Sequence, residues 1–140
     1  MNTHVSSLQF MCLSKTIERL FNIADIKKRL HEIGHKCLHP HRHLAWLEMR
    51  GKELASSLPL PASVKNELMD VLLFMALEVC DWYEKHKYLI SYDFEVLSSF
   101  HWRSDGTIDE LKTAKALARR RDANIASRFR IASFYRLTPD

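Results

Sequence analysis

Turn-forming residues are scarce in this chain, with three glycines and four prolines in 140 positions. An all-β fold needs many turns and draws on both residue types, so the composition argues against one. Cysteine is equally sparse. Cys12, Cys37 and Cys80 are odd in number and widely separated, which gives neither a disulfide framework nor the paired spacing of a zinc knuckle or redox motif. They read as reduced thiols of an intracellular, cytoplasmic protein. Cys12 and Cys80 fall within apolar helical patterns, where core positions are expected. No apolar run approaches a membrane span: the strongest, Val71 to Leu77, is closed by Asp70 and Glu78, far short of the roughly 20 residues required. No basic region precedes an apolar stretch at the start, so no signal peptide is expected. A glycine-rich phosphate loop is also absent.

What is present is a foldable chain. Hydrophobic residues make up 46% of it, too many for disorder, and the length suits one domain with one core. Charge is uneven. Residues 1–100 hold twelve basic and twelve acidic side chains, whereas residues 101–140 hold nine and five, so the net charge of +4 sits in the last segment.

Helical spacing dominates the pattern. Residues 6–22 form a first helix with Phe10, Leu13, Ile17, Leu20 and Phe21 on one side. Asp25 is placed to cap a second helix that Gly34 would stop. Pro40 opens a third, with Leu44, Leu47, Gly51, Leu54 and Leu58 in a row. Gly51 within that row invites close approach of a neighbouring helix. Leu58-Pro59-Leu60-Pro61 is a break. A long central helix follows over 62–90, striped by Val64, Leu68, Val71, Leu72, Met75, Val79, Trp82 and Tyr83, with His86 at the core edge. Residues 92–100 suit a short helix capped by Asp93, although their alternation also permits a strand. After an Asp105-Gly106 turn, Thr107-x-x-Glu110 has the form of a capping box. The helix behind it ends at Arg119-Arg120-Arg121, where cations favour the dipole. Asp122 is placed to cap the last helix, with Ile125, Phe129, Ala132 and Leu137 turned to its partner. The expectation is an all-α fold: five to six helices in an irregular bundle closing on an αα-hairpin. Its parts are N-terminal helices over 1–38, a central pair over 40–90 and a hairpin over 101–140, within a single domain spanning 1–140.

One stretch spells an enzyme motif. His31-Glu32-Ile33-Gly34-His35 is HExxH, whose two histidines share one side of a helix and could hold zinc while the glutamate activates water. His41 falls ten positions after His31, where metzincins place a third ligand. Against this, Leu38 stands where that pattern needs a glycine to turn the chain, and the thirty residues before the motif read as helix rather than sheet. The apolar stripe of this helix is Ile26, Leu30, Ile33 and Cys37. His31 and His35 fall opposite that stripe, flanked by Lys28. With His39 and His43 also nearby, local histidine enrichment makes a chance match easy. The motif is read as coincidental, with no catalytic, cofactor or metal residues assigned.

The stretch Trp102-Arg-Ser-Asp-Gly106-Thr-Ile-Asp-Glu-Leu-Lys112-Thr-Ala-Lys-Ala116-Leu, followed by Arg128-Phe-Arg-Ile-Ala-Ser-Phe-Tyr135, resembles a large uncharacterised family of helical proteins expanded in spiders and related arthropods. Ser7-Leu-Gln-Phe-Met-Cys-Leu13 is similar to that family's start, and the detailed likeness covers about a third of the chain. The resemblance implies a helical hairpin held by Trp102, Thr107, Lys112 and Tyr135, with no assigned activity and no HExxH. Family members continue past the tyrosine, so it also implies a short or truncated member. Truncation would leave an apolar face of the last helix without its partner.

Three functions follow as expectations. The first is a non-catalytic helical module that binds a protein partner and needs no cofactor. The second is a zinc metallopeptidase-like site at His31, Glu32, His35 and His41. The third is weak nucleic-acid binding by Arg119, Arg120, Arg121, Arg128, Arg130 and Arg136, weakened because Arg128 and Arg130 point to different sides of their helix and no reader motif accompanies them.

Overall fold

The computed structural model describes residues 7–36, 40–91 and 95–138, with side chains at all of these except 7, 36, 40 and 41. Six α-helices are present among them: α1 (Ser7–Phe21), α2 (Ala24–Lys36), α3 (Pro40–Ser56), α4 (Ala62–His86), α5 (Glu110–Ala118) and α6 (Ile125–Phe134). The fold is all-α, as the spacing of apolar residues predicts. No described helix is long and apolar enough to cross a membrane.

Helix α4 is the axis. Helices α1, α2 and α3 all rest on it, which is why its buried residues spread from one stripe to a broad face: Leu68, Met69, Val71, Leu72, Met75, Ala76, Val79, Trp82, Tyr83 and His86. It ends at His86 rather than Ile90. Helices α2 and α3 run antiparallel, since Arg50 reaches Asp25 at 2.9 Å while Arg29 lies 4.4 Å over the Trp46 ring. At Gly51 the backbone of α3 comes within contact of α4. A Cβ there would stand 2.6 Å from Leu72 and 2.9 Å from the end of Met69. The glycine in that row does set a close approach.

Several boundaries differ from expectation, each for a local reason. Asp25 lies inside the first turn of α2 and pairs with Arg50 instead of capping. Gly34 does not stop α2, which runs on to Lys36. The 92–100 stretch gives only a 3-10 turn at Leu97–Ser99, with Val96, Leu97 and Phe100 buried. Asp93, its expected cap, lies outside the described residues. Cys12 is exposed and Cys80 half-buried, so Cys12 is not a core residue.

The C-terminal hairpin is entered through a tight turn. Trp102 and Ile108 form an antiparallel bridge, and Gly106, at φ +83°, closes the turn by donating to Arg103 O at 3.0 Å. Thr107 is drawn into this turn, its hydroxyl donating to Asp105 at 2.6 Å. Helix α5 starts only at Glu110, so the cap falls to Asp109, which accepts from Lys112 N. In the next loop Asp122 is held by Arg120, so Asn124 caps α6 by accepting from Ala126 N and Ser127 N.

These assignments predict that Asp109→Ala and Asn124→Ala each lower unfolding free energy by about 1 kcal/mol. Asp122→Ala, which removes only an exposed ion pair, should cost less. Urea denaturation of the three variants measures the difference.

Candidate functional site

The residues of the HExxH stretch lie on α2 facing the last turns of α4. Tyr83 is 1% exposed and its ring lies against the α2 backbone at Gly34. A Cβ at position 34 would meet that ring at 2.2 Å. Gly34 is therefore the floor of a socket, and the two histidines are its walls. The His31 and His35 rings stand edge-on to Tyr83 at 6.1 and 5.0 Å, and 4.5 Å from each other. His31 Nδ1 hydrogen-bonds with the Tyr83 hydroxyl at 3.1 Å. The helical wheel puts these histidines away from the apolar stripe. The structure makes them half-buried all the same, because Tyr83 reaches round to a face that α2's own sequence marks as polar.

The electrostatics match the burial. Burial is the main reason His35 is held down to about 4, with the neighbouring His31 adding to it. Burial likewise pushes the Tyr83 hydroxyl well above its ordinary range. Glu32, between the histidines, is half-buried. The side chain of His41 lies outside the described residues, so the proposed third ligand has no position here. Among the described residues no three of His, Cys, Asp and Glu come together to hold a metal ion.

A second aromatic cluster adjoins the first and reaches the hairpin. His86 is 1% exposed, well inside the core rather than at its edge. Its Nδ1 donates to Trp82 O at 2.6 Å, which leaves Nε2 to accept from the Tyr135 hydroxyl. The His86 ring stacks on Trp82 at 4.1 Å and on Tyr135 at 5.7 Å. Burial lowers the pKa of His86, opposed by its bond to Trp82 O, and burial raises that of Tyr135 to about 12. The bonded pair is thus a neutral imidazole and a neutral phenol. Sequence reading had no access to this pair, because the partners are 49 positions apart and neither sits in a motif that names the other.

The basic residues of the hairpin are largely engaged in holding it. Arg120 grips Asp122 at 3.0 and 3.1 Å and donates to Glu95 O. Arg128 Nε donates to Ala118 O at 3.0 Å, and Arg130 Nε to Leu89 O at 3.3 Å. Arg119, Arg121 and Arg136 are exposed.

Helix α6 is turned otherwise than its large apolar residues suggest. Ser127 and Ile131 are fully buried, with Tyr135 next in line, whereas Ile125 is 78% and Phe129 72% exposed. Ser127 is inward because its hydroxyl accepts from Ser91 N at 3.2 Å.

No family model, curated protein or solved structure matches this chain.

Two predictions follow. Gly34→Ala gains helix propensity of about 1 kcal/mol but drives a methyl into the Tyr83 ring, an overpacking cost of about 1–3 kcal/mol or more. It should therefore destabilise the protein, and by more than Gly51→Ala, whose obstacles are the ends of flexible side chains. Thermal unfolding of both variants tests the order. The second prediction concerns pH. His35 binds its proton less readily folded than unfolded, so its contribution is complete above 6.5 and is lost as pH falls toward about 4. Asp25, Asp105, Asp109 and Asp122, all lowered from 3.8, act in a separate window below that value. Urea midpoints should fall between pH 6.5 and about 4, with the buried His86 adding to the fall, and His35→Gln should reduce it.

Proposed function

We propose that this chain is a non-catalytic helical module whose business is to bind a protein partner, and that the outer side of α6 is the binding face. The observation that supports this reading is the exposure of Ile125 and Phe129, at 78% and 72%, on a helix fastened from its other side. Residues four apart are neighbours on a helix surface, so the two form one apolar row with Ala132. A pair of large apolar side chains in water on a rigid support is what a helix-in-groove contact uses.

The rival readings draw less support from the same geometry. The HExxH residues have an evident structural task as the socket of Tyr83. The arginines of the nucleic-acid reading spend much of their bonding on backbone carbonyls. The same proposal places the chain in the helical family that its hairpin resembles, for which no chemistry is implied.

The test is the double substitution Ile125→Ser with Phe129→Ser. It should leave far-UV circular dichroism and melting temperature unchanged while removing a partner crosslinked to the chain in cell extract. A steep loss of stability would mean that the face is packed, and a crosslink that persists would mean that it is not the interface. Stoichiometric zinc lost in His31→Ala would favour the peptidase reading instead.

A further inference from the structure

We infer that the outer face of α6 receives an acidic amphipathic helix of another protein; this rests on the interaction reading above and adds the chemistry of the partner. The apolar row Ile125, Phe129 and Ala132 runs the length of the helix. Arg128 borders one flank, roughly 60° round from Ile125 at 100° per residue, and the exposed Arg121 and Arg136 precede and follow the helix in sequence. From Ala123 to Pro139 the sequence has three arginines and no carboxylate. The nearest carboxylate before it, Asp122, is gripped by Arg120 through two hydrogen bonds. The row is therefore hydrophobic along its centre and bordered by arginine, and α6 itself carries no carboxylate.

That charge arrangement selects among occupants. A second copy docking by two-fold symmetry would bring the same arginines face to face. A neutral helix would cover the apolar row but leave the cations uncompensated as they lose water. A helix with apolar residues at i and i+4, flanked by Asp or Glu, satisfies both features together. The face is also preformed. Asn124 caps the helix, and Ser91, Leu89 and His86 hold it from behind, so little ordering is required on binding.

The test pans a display library of helix-forming peptides against the full chain. The expected survivors carry Asp or Glu around an i, i+4 apolar pair. Their affinity should fall about thirtyfold or more in Phe129→Ser and in the independent variant Ile125→Ser. It should also weaken with added salt and in Arg121→Glu with Arg136→Glu, but not in the control Arg19→Glu. Survivors that are neutral or basic would overturn the acidic partner while leaving the interaction reading standing. Peptides indifferent to both Phe129→Ser and Ile125→Ser would overturn both. Self-association by sedimentation that Phe129→Ser abolishes would assign the face to a second copy. Retention of a single-stranded oligonucleotide that Phe129→Ser abolishes would assign it to nucleic acid.

Discussion

The last two turns of α4 join the N-terminal bundle to the C-terminal hairpin. Tyr83 points one way, into the groove over Gly34 on α2. Trp82 points another, edge-on to Phe100 at 5.1 Å and stacked on His86. His86 carries the connection on to Tyr135 at the end of α6. Three side chains within five positions thus tie α2, the 95–102 segment and the C-terminal hairpin to one helix. Each depends on the others, because the aromatic stack gives His86 its neutral, buried state and the bond to Tyr135 gives the buried ring nitrogen its partner. A buried acceptor stripped of its donor costs about 1–3 kcal/mol, so the polar contact is expensive to lose even though its net worth when made is small.

How much of this could be read from the sequence depends on the range of the signal. The long stripe of α4 and the glycine in the α3 row are short-range patterns, and both have the positions the periodicity gives them. Caps were harder. Thr107 and Asp109, or Asp122 and Asn124, are equally able to cap by residue type. The choice is made by neighbours: the Trp102–Ile108 bridge and its turn occupy Thr107, and Arg120 occupies Asp122. The histidine motif shows the same limit from the other side. Spacing alone allows HExxH to be a ligand pair, and only a tyrosine 52 positions from His31 explains the glycine and both histidines together.

The setting of α6 is where burial and hydrogen bonding conflict. Rotating the helix to bury Ile125 and Phe129 would gain roughly 1.5–3 kcal/mol for each side chain. It would also carry Ser127 away from Ser91, Arg128 from Ala118 O, Arg130 from Leu89 O and Tyr135 from His86. Several buried or half-buried donors and acceptors would then lose partners at once, at a cost of the same order as what the two apolar side chains offer, and the fully buried Ile131 would be turned out as well. The polar contacts and Ile131 together therefore fix the rotation, and the apolar pair is left in water as a consequence. A fold selected for stability alone has a cheaper solution, since Ser or Lys at positions 125 and 129 would keep every one of those bonds without exposing a large apolar surface. Isoleucine and phenylalanine at two sites where the fold gains nothing from them make the outer side of α6, rather than the histidine motif, the place to look for what this protein does.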